Sequence, residues 1–491
     1  MCRCHVQGAC HGCGHAVDRR RFLRRLGTAA AATVGGLASL SHAAAEAEEG
    51  KVRVAAVFLS NIHIREIWPY PEFDTEGRQR EILALLKEGC PEVEFIPVTV
   101  EKAEDAAKAI GLKDEVDGYL VYAMTLDWGQ GRYLTQIGQL GKPLLVVDEF
   151  LGGSGLFLTR YSALCSQGIP AAAVSTTRLG DLVAVARQFA DVRKPGTTPE
   201  TFARQCEEVY RKTFPARGEM TCADDPVALT DVGECVKRFG QSRFLIVGRG
   251  RPGQEQDFLG AKGIYVDFDE LSAFYEKVDR DQAAEWAGRW SKQADALPAG
   301  DYVEPSRPTP EAVDKAGGVY LAILELLKKY DTDSVTMNCL GGFASGKLPS
   351  YPCLGFMQIL NDGGQGVCEA MPDDTLSMMM ARILTGRPGF VSDPALDTSK
   401  NQIVYAHCVG PTKTFGPEAE SNGFRIRTLH NRDPRGACAE SFLPAGYMTT
   451  SFRTNVGRKQ LIVHQAKSLG PLDCEKACRT KLIGEVRGDV G

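Results

Sequence analysis

Outside its N-terminus this 491-residue chain has no basic block. Its 57 Lys and Arg face 62 Asp and Glu, a formal net charge of −5, so nucleic acid is not an expected partner. Beyond one alanine-rich stretch there is no low-complexity segment and no convincing internal repeat, which argues against solenoid and fibrous architectures. Of the 16 cysteines, the twelve beyond the first fifteen residues have no framework spacing, so no disulfide scaffold can be derived from them. The apolar stretch Leu26 to Leu40 is too short and too mild to make a good membrane span.

The N-terminus is the most specific feature present. "DRRRFLRRLGTAAAATVGGLASLSHAAAEAEEG" pairs Arg19 with Arg20, follows with Phe22 and Leu23, and ends in A-x-A at Ala43 to Ala45. This is the pattern of a twin-arginine signal peptide, so residues 1–45 are expected to be removed on export to the periplasm, with the export machinery as a partner. A retained anchor is the alternative. Cys2, Cys4, Cys10 and Cys13 ahead of the signal have metal-site spacing, C-x-C then C-x-x-C. Because they precede a removable segment, they are expected to be dispensable.

From Lys51 the chain alternates strand and helix patterns. "KVRVAAVFLS", "VEFIPVTV", "VDGYLVYAM" and "KPLLVVDEF" are strand-like, with amphipathic helical runs between the earlier ones. "RFLIVGRG" and "GIYVDFD" continue the rhythm, and long helical runs follow at 281–294 and 310–329. Beyond about residue 331 one helix per strand is no longer kept, while glycine and proline become frequent. The expected fold class is α/β: two doubly wound parallel-sheet domains, 46–165 and 166–330, followed by a mixed, mainly β C-terminal domain, 331–491.

Two stretches compete for a functional site. In the first, Gly248, Gly250 and Gly253 fit G-x-G-x-x-G after a strand, and Asp267 ends the next strand. A dinucleotide fold would place pyrophosphate on these glycines and a ribose hydroxyl on the acid, giving a nicotinamide oxidoreductase. Only residues 254–261 remain for the required helix, and an ordinary strand-to-strand loop is the alternative.

The second stretch is "CEAMPDDTLSMMMARILTGRPGFVSD", with Glu369 before a helical segment and Asp393 after it. Pro372 at a first helical position, Asp373 and Asp374 in the first turn, and Gly386 with Pro388 as a stop define the helix. Pro372 to Leu384 rises roughly 20 Å as a helix, and Arg387 to Asp393 can return about 23 Å when extended. The two lengths nearly cancel, so the carboxyl groups are expected to meet within about 6 Å, where each perturbs the other. Paired carboxylates suit Mg, Ca or Mn. The alternative is a solvated pre-helix acid and an acidic turn.

Around this pair, residues 350–410 resemble the C-terminal half of the L-fucose isomerase-like family, relatives of L-fucose and L-arabinose isomerases. The features that carry the resemblance are "PC" before an apolar helix, "NDGG", "CE" before a second helix, "TGRPGF" followed by an acid, and "AHC" after a strand. It implies a divalent cation, usually manganese, held by two carboxylates and histidine. Glu369 matches the first carboxylate and Asp393 the second, and His407 aligns with a histidine of the arabinose branch. A simple hairpin from Asp393 would leave His407 several residues beyond it, and a buried structural histidine is the alternative. The sequence departs from the family where Ala370-Met371 separate "CE" from the aspartates. A late metal-site histidine is also missing from its usual context, with His430 and His464 the remaining candidates.

The resemblance implies an aldose–ketose isomerase in which Glu369 and Asp393 both ligate the metal and shuttle a proton through an enediol. A carbohydrate substrate and a homo-oligomer are expected. A sugar-binding protein without turnover on the same scaffold is the non-enzymatic alternative.

Overall fold

The computed structural model describes residues 50–61, 68–216, 218–297 and 306–491. The signal-like segment and the N-terminal cysteine cluster lie outside them.

The first sheet joins β1 (Val52–Leu59), β2 (Val93–Val100), β3 (Gly118–Ala123), β4 (Leu144–Asp148) and β5 (Ala172–Val174) in the order β2-β1-β3-β4-β5. All its pairings are parallel. Strands buried on both faces are continuously apolar, and β1 shows how. Val54, Ala56 and Phe58 face one core with Ile82 and Leu86 of the helix Thr75–Gly89, while Ala55, Val57 and Leu59 face another with Ala106, Leu134 and Leu156.

The expected boundary at 165 falls inside the helix Ser154–Ser166. Moreover, β5 and the helices Leu179–Ala186 and Pro199–Arg211 belong to the first sheet rather than the second: Leu182, Val185 and Phe202 pack against Val54 and Phe58. The strand and helix rhythm runs on without a linker there, so periodicity alone does not mark the change of sheet.

The second sheet contains β6 (Arg243–Val247), β7 (Glu255–Phe258), β8 (Ala261–Val266), β9 (Ser334–Met337) and β10 (Gln365–Cys368), in the order β10-β9-β6-β8-β7. Only β7 runs antiparallel to its neighbour. Thus β9 and β10, expected in the third domain, join the second sheet.

The remainder is antiparallel and mainly β. It comprises β11 (Asp393–Asp397), β12 (Gln402–His407), β13 (Phe424–Arg427), β14 (Cys438–Ser441), β15 (Met448–Asn455), β16 (Gln460–Pro471) and β17 (Thr480–Val486). Five of these form a sheet ordered β11-β12-β17-β16-β15, and β13 pairs with β14. The fold class is therefore α/β with two largely parallel sheets followed by a mainly β unit. Among the described residues no helix is long and apolar enough to cross a membrane.

Candidate metal centre

Glu369 stands at the C-terminal end of β10, where the chain makes a strained turn. Its φ is 66° and that of Ala370 is 50°, a left-handed conformation that costs a non-glycine residue on the order of 1–3 kcal/mol. The β9 end holds this turn: the Ala370 amide donates to the Met337 carbonyl (2.9 Å) and the Met371 amide to Thr336 Oγ1 (3.0 Å). The helix Pro372–Thr385 then begins, with proline in its first turn, and stops at Gly386 with φ 71°. Its inner face, Leu376, Met379 and Ile383, packs on Phe244 and Ile246 of β6. The chain returns along this helix to Asp393, which opens β11.

His407 reaches the same place by a tighter hairpin than expected. The reversal occurs at Thr398–Lys400, with Asn401 left-handed at φ 55°. Asp397 therefore pairs with Gln402 and Asp393 with Ala406. His407 lies one residue past the partner of Asp393 rather than several beyond it.

Glu369, Asp393 and His407 each offer a ligand atom, and these atoms all lie within 4.8 Å of one another. Such a group could hold a divalent cation. His407 is buried, the Glu369 side chain is 40% exposed and Asp393 is exposed, so the group opens to solvent on the Asp393 side. The Glu369 carboxyl is raised above its ordinary range by burial; His407 opposes this, the Asp393 charge adds to it, and Arg249 opposes it more weakly. A cation would relieve both causes of the rise, because it replaces lost hydration and offsets the like charge.

The imidazole fits less simply. Its Nδ1 accepts the Cys408 backbone N–H at 2.9 Å, so a neutral ring carries its proton on Nε2, which stands 3.9 Å from Glu369 Oε1. To ligate through Nε2, the ring must lose that proton and give up the amide bond. The two carboxylates fit a hard divalent cation directly, whereas His407 fits after that exchange.

Two nearby groups were not read from the sequence as parts of the site. Asp374, in the first turn of the helix, is raised by burial and by the charges of Asp393 and Asp373, and is counterbalanced by Arg453, whose Nε lies 2.9 Å from its Oδ1. Arg249 lies within electrostatic reach of Glu369. The first-turn position of Asp374 was a visible signal, but that of Arg249 depends on the loop after β6.

That loop corrects the dinucleotide reading. No helix follows Gly253; the chain enters β7, and Gly253 and Gln254 already pair with Tyr265. The glycines answer to aromatic rings, since a Cβ at Gly248 would lie 2.2 Å from Phe268 and one at Gly250 would lie 2.2 Å from Tyr265. Asp267 caps the helix Phe268–Tyr275, its Oδ1 accepting the Glu270 amide at 2.8 Å. Neither late histidine is in this group of ligand atoms: His464 bonds Tyr405, and the His430 ring meets Trp68 edge-on.

Compared with known family models and with curated proteins, the chain matches none.

Proposed function

We propose that this protein is an exported, manganese-dependent enzyme of the aldose–ketose isomerase type, acting on an open-chain sugar and working as a homo-oligomer. The observation that carries this reading is the convergence of Glu369, Asp393 and His407 from three separate elements onto one partly open point. When bound, the cation polarises the sugar carbonyl as a Lewis acid. Glu369 and Asp393 would hold the cation, and one of them would take the proton from the carbon beside the carbonyl while the other gives a proton to the neighbouring carbon, through an enediol. Arg249 biases Glu369 toward its charged form.

The test is deuterium exchange. Full-length protein loaded with Mn2+ is incubated in D2O with aldopentoses and 6-deoxyaldohexoses. Ketose carrying one solvent deuterium is expected from the native protein and none from Glu369→Gln. Absence of exchange and of ketose across the panel would overturn the reading.

A second reading, sugar binding without turnover, is favoured by the Cys408 amide bond to His407 Nδ1, which opposes ligation through Nε2. Heat of sugar binding without any deuterium exchange would be its signature.

A further inference from the structure

Twelve free cysteines occur among the described residues, and six of them meet along the seam between the second and third sheets. Cys339 begins the helix after β9, Cys368 ends β10, and Cys353 begins the helix Cys353–Asn361. From the β unit, Cys408 follows β12, Cys438 starts β14 and Cys478 precedes β17. Their thiols are neighbours in sequence. Cys339 meets Cys368, Cys368 meets Cys353, and the Cys353 and Cys438 sulfurs are 3.7 Å apart. Cys438 in turn meets Cys408, and Cys408 meets Cys478.

The arrangement is a row, not a cage. Among the described residues, the only group of three or more Cys, His, Asp or Glu ligand atoms mutually within 4.8 Å is Glu369, Asp393 and His407. No three sulfurs therefore surround a single point as a thiolate metal site requires. Each thiol instead interacts with at least one other thiol of the row. Access is graded as well: Cys478 is partly exposed, while the other five are buried. The row also runs beside the metal centre, with Cys368 preceding Glu369, Cys408 following His407, and Cys478 within the field of both Asp393 and Glu369. The Cys408 contact, burial and those two charges hold the Cys478 thiol well above the usual range, so that its attack on a disulfide is the slow step.

We propose that four of these cysteines, Cys478, Cys408, Cys438 and Cys353, form a thiol–disulfide relay that admits an external disulfide at Cys478 and carries the bond inward to Cys353 and Cys438. Cys478 releases its proton to solvent and attacks one sulfur of the external disulfide, forming a mixed disulfide and expelling one external thiol. Cys408 attacks the Cys478 sulfur and expels the second external thiol, leaving a Cys408–Cys478 disulfide. Attack by Cys438 on Cys408 frees Cys478, and attack by Cys353 on Cys438 frees Cys408. Two protein thiols are oxidised, one external disulfide is reduced to two thiols, and two electrons pass outward. The final bond spans 85 residues and joins the second sheet to the β unit. Glu369 and His407 come from opposite sides of that seam, so the bond would pin the two halves of the metal centre.

The test uses full-length protein treated with glutathione disulfide, acid-quenched, alkylated under denaturing conditions, digested and mapped by mass spectrometry. The expected product is a Cys353–Cys438 crosslink with Cys478 recovered as a free thiol. In Cys478→Ser its rate of formation should fall by at least about tenfold, because direct attack on buried sulfur is obstructed. Three outcomes overturn the proposal: Cys353 and Cys438 both alkylated at a dose that modifies exposed Cys165, a disulfide that stops at Cys408–Cys478, or an unchanged rate in Cys478→Ser. The map of the native protein decides the first two even if the variant fails to fold. None of these measurements depends on sugar turnover, so the relay and the isomerase reading can fail separately.

Discussion

Glu149 and Glu369 each follow the C-terminal end of a parallel strand, β4 in one sheet and β10 in the other, yet their surroundings differ in charge. Glu149 is 1% exposed and saturated: Lys476 Nζ donates at 2.7 Å, Arg78 Nε at 2.9 Å and Tyr122 Oη at 2.8 Å. Burial alone would raise its carboxyl, but Lys476 and Arg78 together hold it down to about 2. Among the described residues Glu369 meets no lysine or arginine in an ion pair; its partners are another acid and a histidine, and its carboxyl moves upward. An acid supplied with the protein's own cations serves the structure, here by tying the first sheet to the β unit through Lys476. Acids driven together without such cations leave a place for one from solution.

The strongest way to break this contrast is to neutralise the saturated acid. Glu149→Gln leaves Lys476 buried without its counter-charge and should cost about 3–5 kcal/mol in denaturant unfolding. The pH dependence has a defined sign, because the folded value of about 2 lies below the usual 4.5. The stability due to Glu149 is fully present above about 4.5 and is lost as pH falls from there toward 2. A variant as stable as the native protein at pH 7 would show that the network contributes nothing.

The converse change at the unsaturated acid should spare the fold and remove the cation. Glu369→Gln is expected to weaken Mn2+ binding, followed by the paramagnetic signal of free Mn2+, by about a hundredfold or more, roughly 2.7 kcal/mol. Its metal-free melting temperature should be unchanged or higher, since a like-charge contact with Asp393 disappears. Retention of native affinity would mean that the two acids flank their helix for reasons of turn chemistry alone.

Asp148 sharpens the contrast from a third position. It is buried, accepts from the Ser154 and Ser175 hydroxyls at 2.8 and 2.9 Å, and leaves Oδ1 without a partner among the described residues. Burial lifts its carboxyl to about 7. The folded chain then keeps a proton that the unfolded chain has released, so stability should decline as pH rises between about 4 and 7, by at most ~1.4 kcal/mol per unit. Asp148→Asn should flatten that slope in melting experiments run across the same window.

The smallest effect belongs to an acid that caps a helix. Asp267→Ala removes the cap on the helix Phe268–Tyr275 and should cost about 1 kcal/mol. Mn2+ affinity should not change; a large loss would connect this acid to the metal centre after all.

Much of this molecule was legible before its structure. The strand "VEFIPVTV" and the helices Ala103–Gly111 and Pro310–Lys329 occur where their residue patterns place them. The helix between the two acids also follows from its local signals: proline at its start, acids in its first turn, and a left-handed glycine at its end. Because a helix and an extended return have known rises, even the meeting of Glu369 and Asp393 followed from chain length. These features depend on residues a few positions apart, and so short stretches of sequence contain them.

What tertiary structure alone decided involves residues far apart in the chain. The turn at Thr398–Asn401 sets the strand register that returns His407 to Asp393, and that register depends on β12 also pairing with β17, some 75 residues later. The loop after β6 becomes a hairpin rather than a nucleotide cradle because β7 can pair along the edge of β8. Strand order assigned β9 and β10 to the second sheet, although their own residues are equally suited to either. The same packing gathered six cysteines scattered from 339 to 478 into one row, since spacing along a chain says nothing of distance once strands from two sheets share a seam. Periodicity and capping act within a few residues, whereas register and sheet membership are settled by which distant surfaces exclude water together.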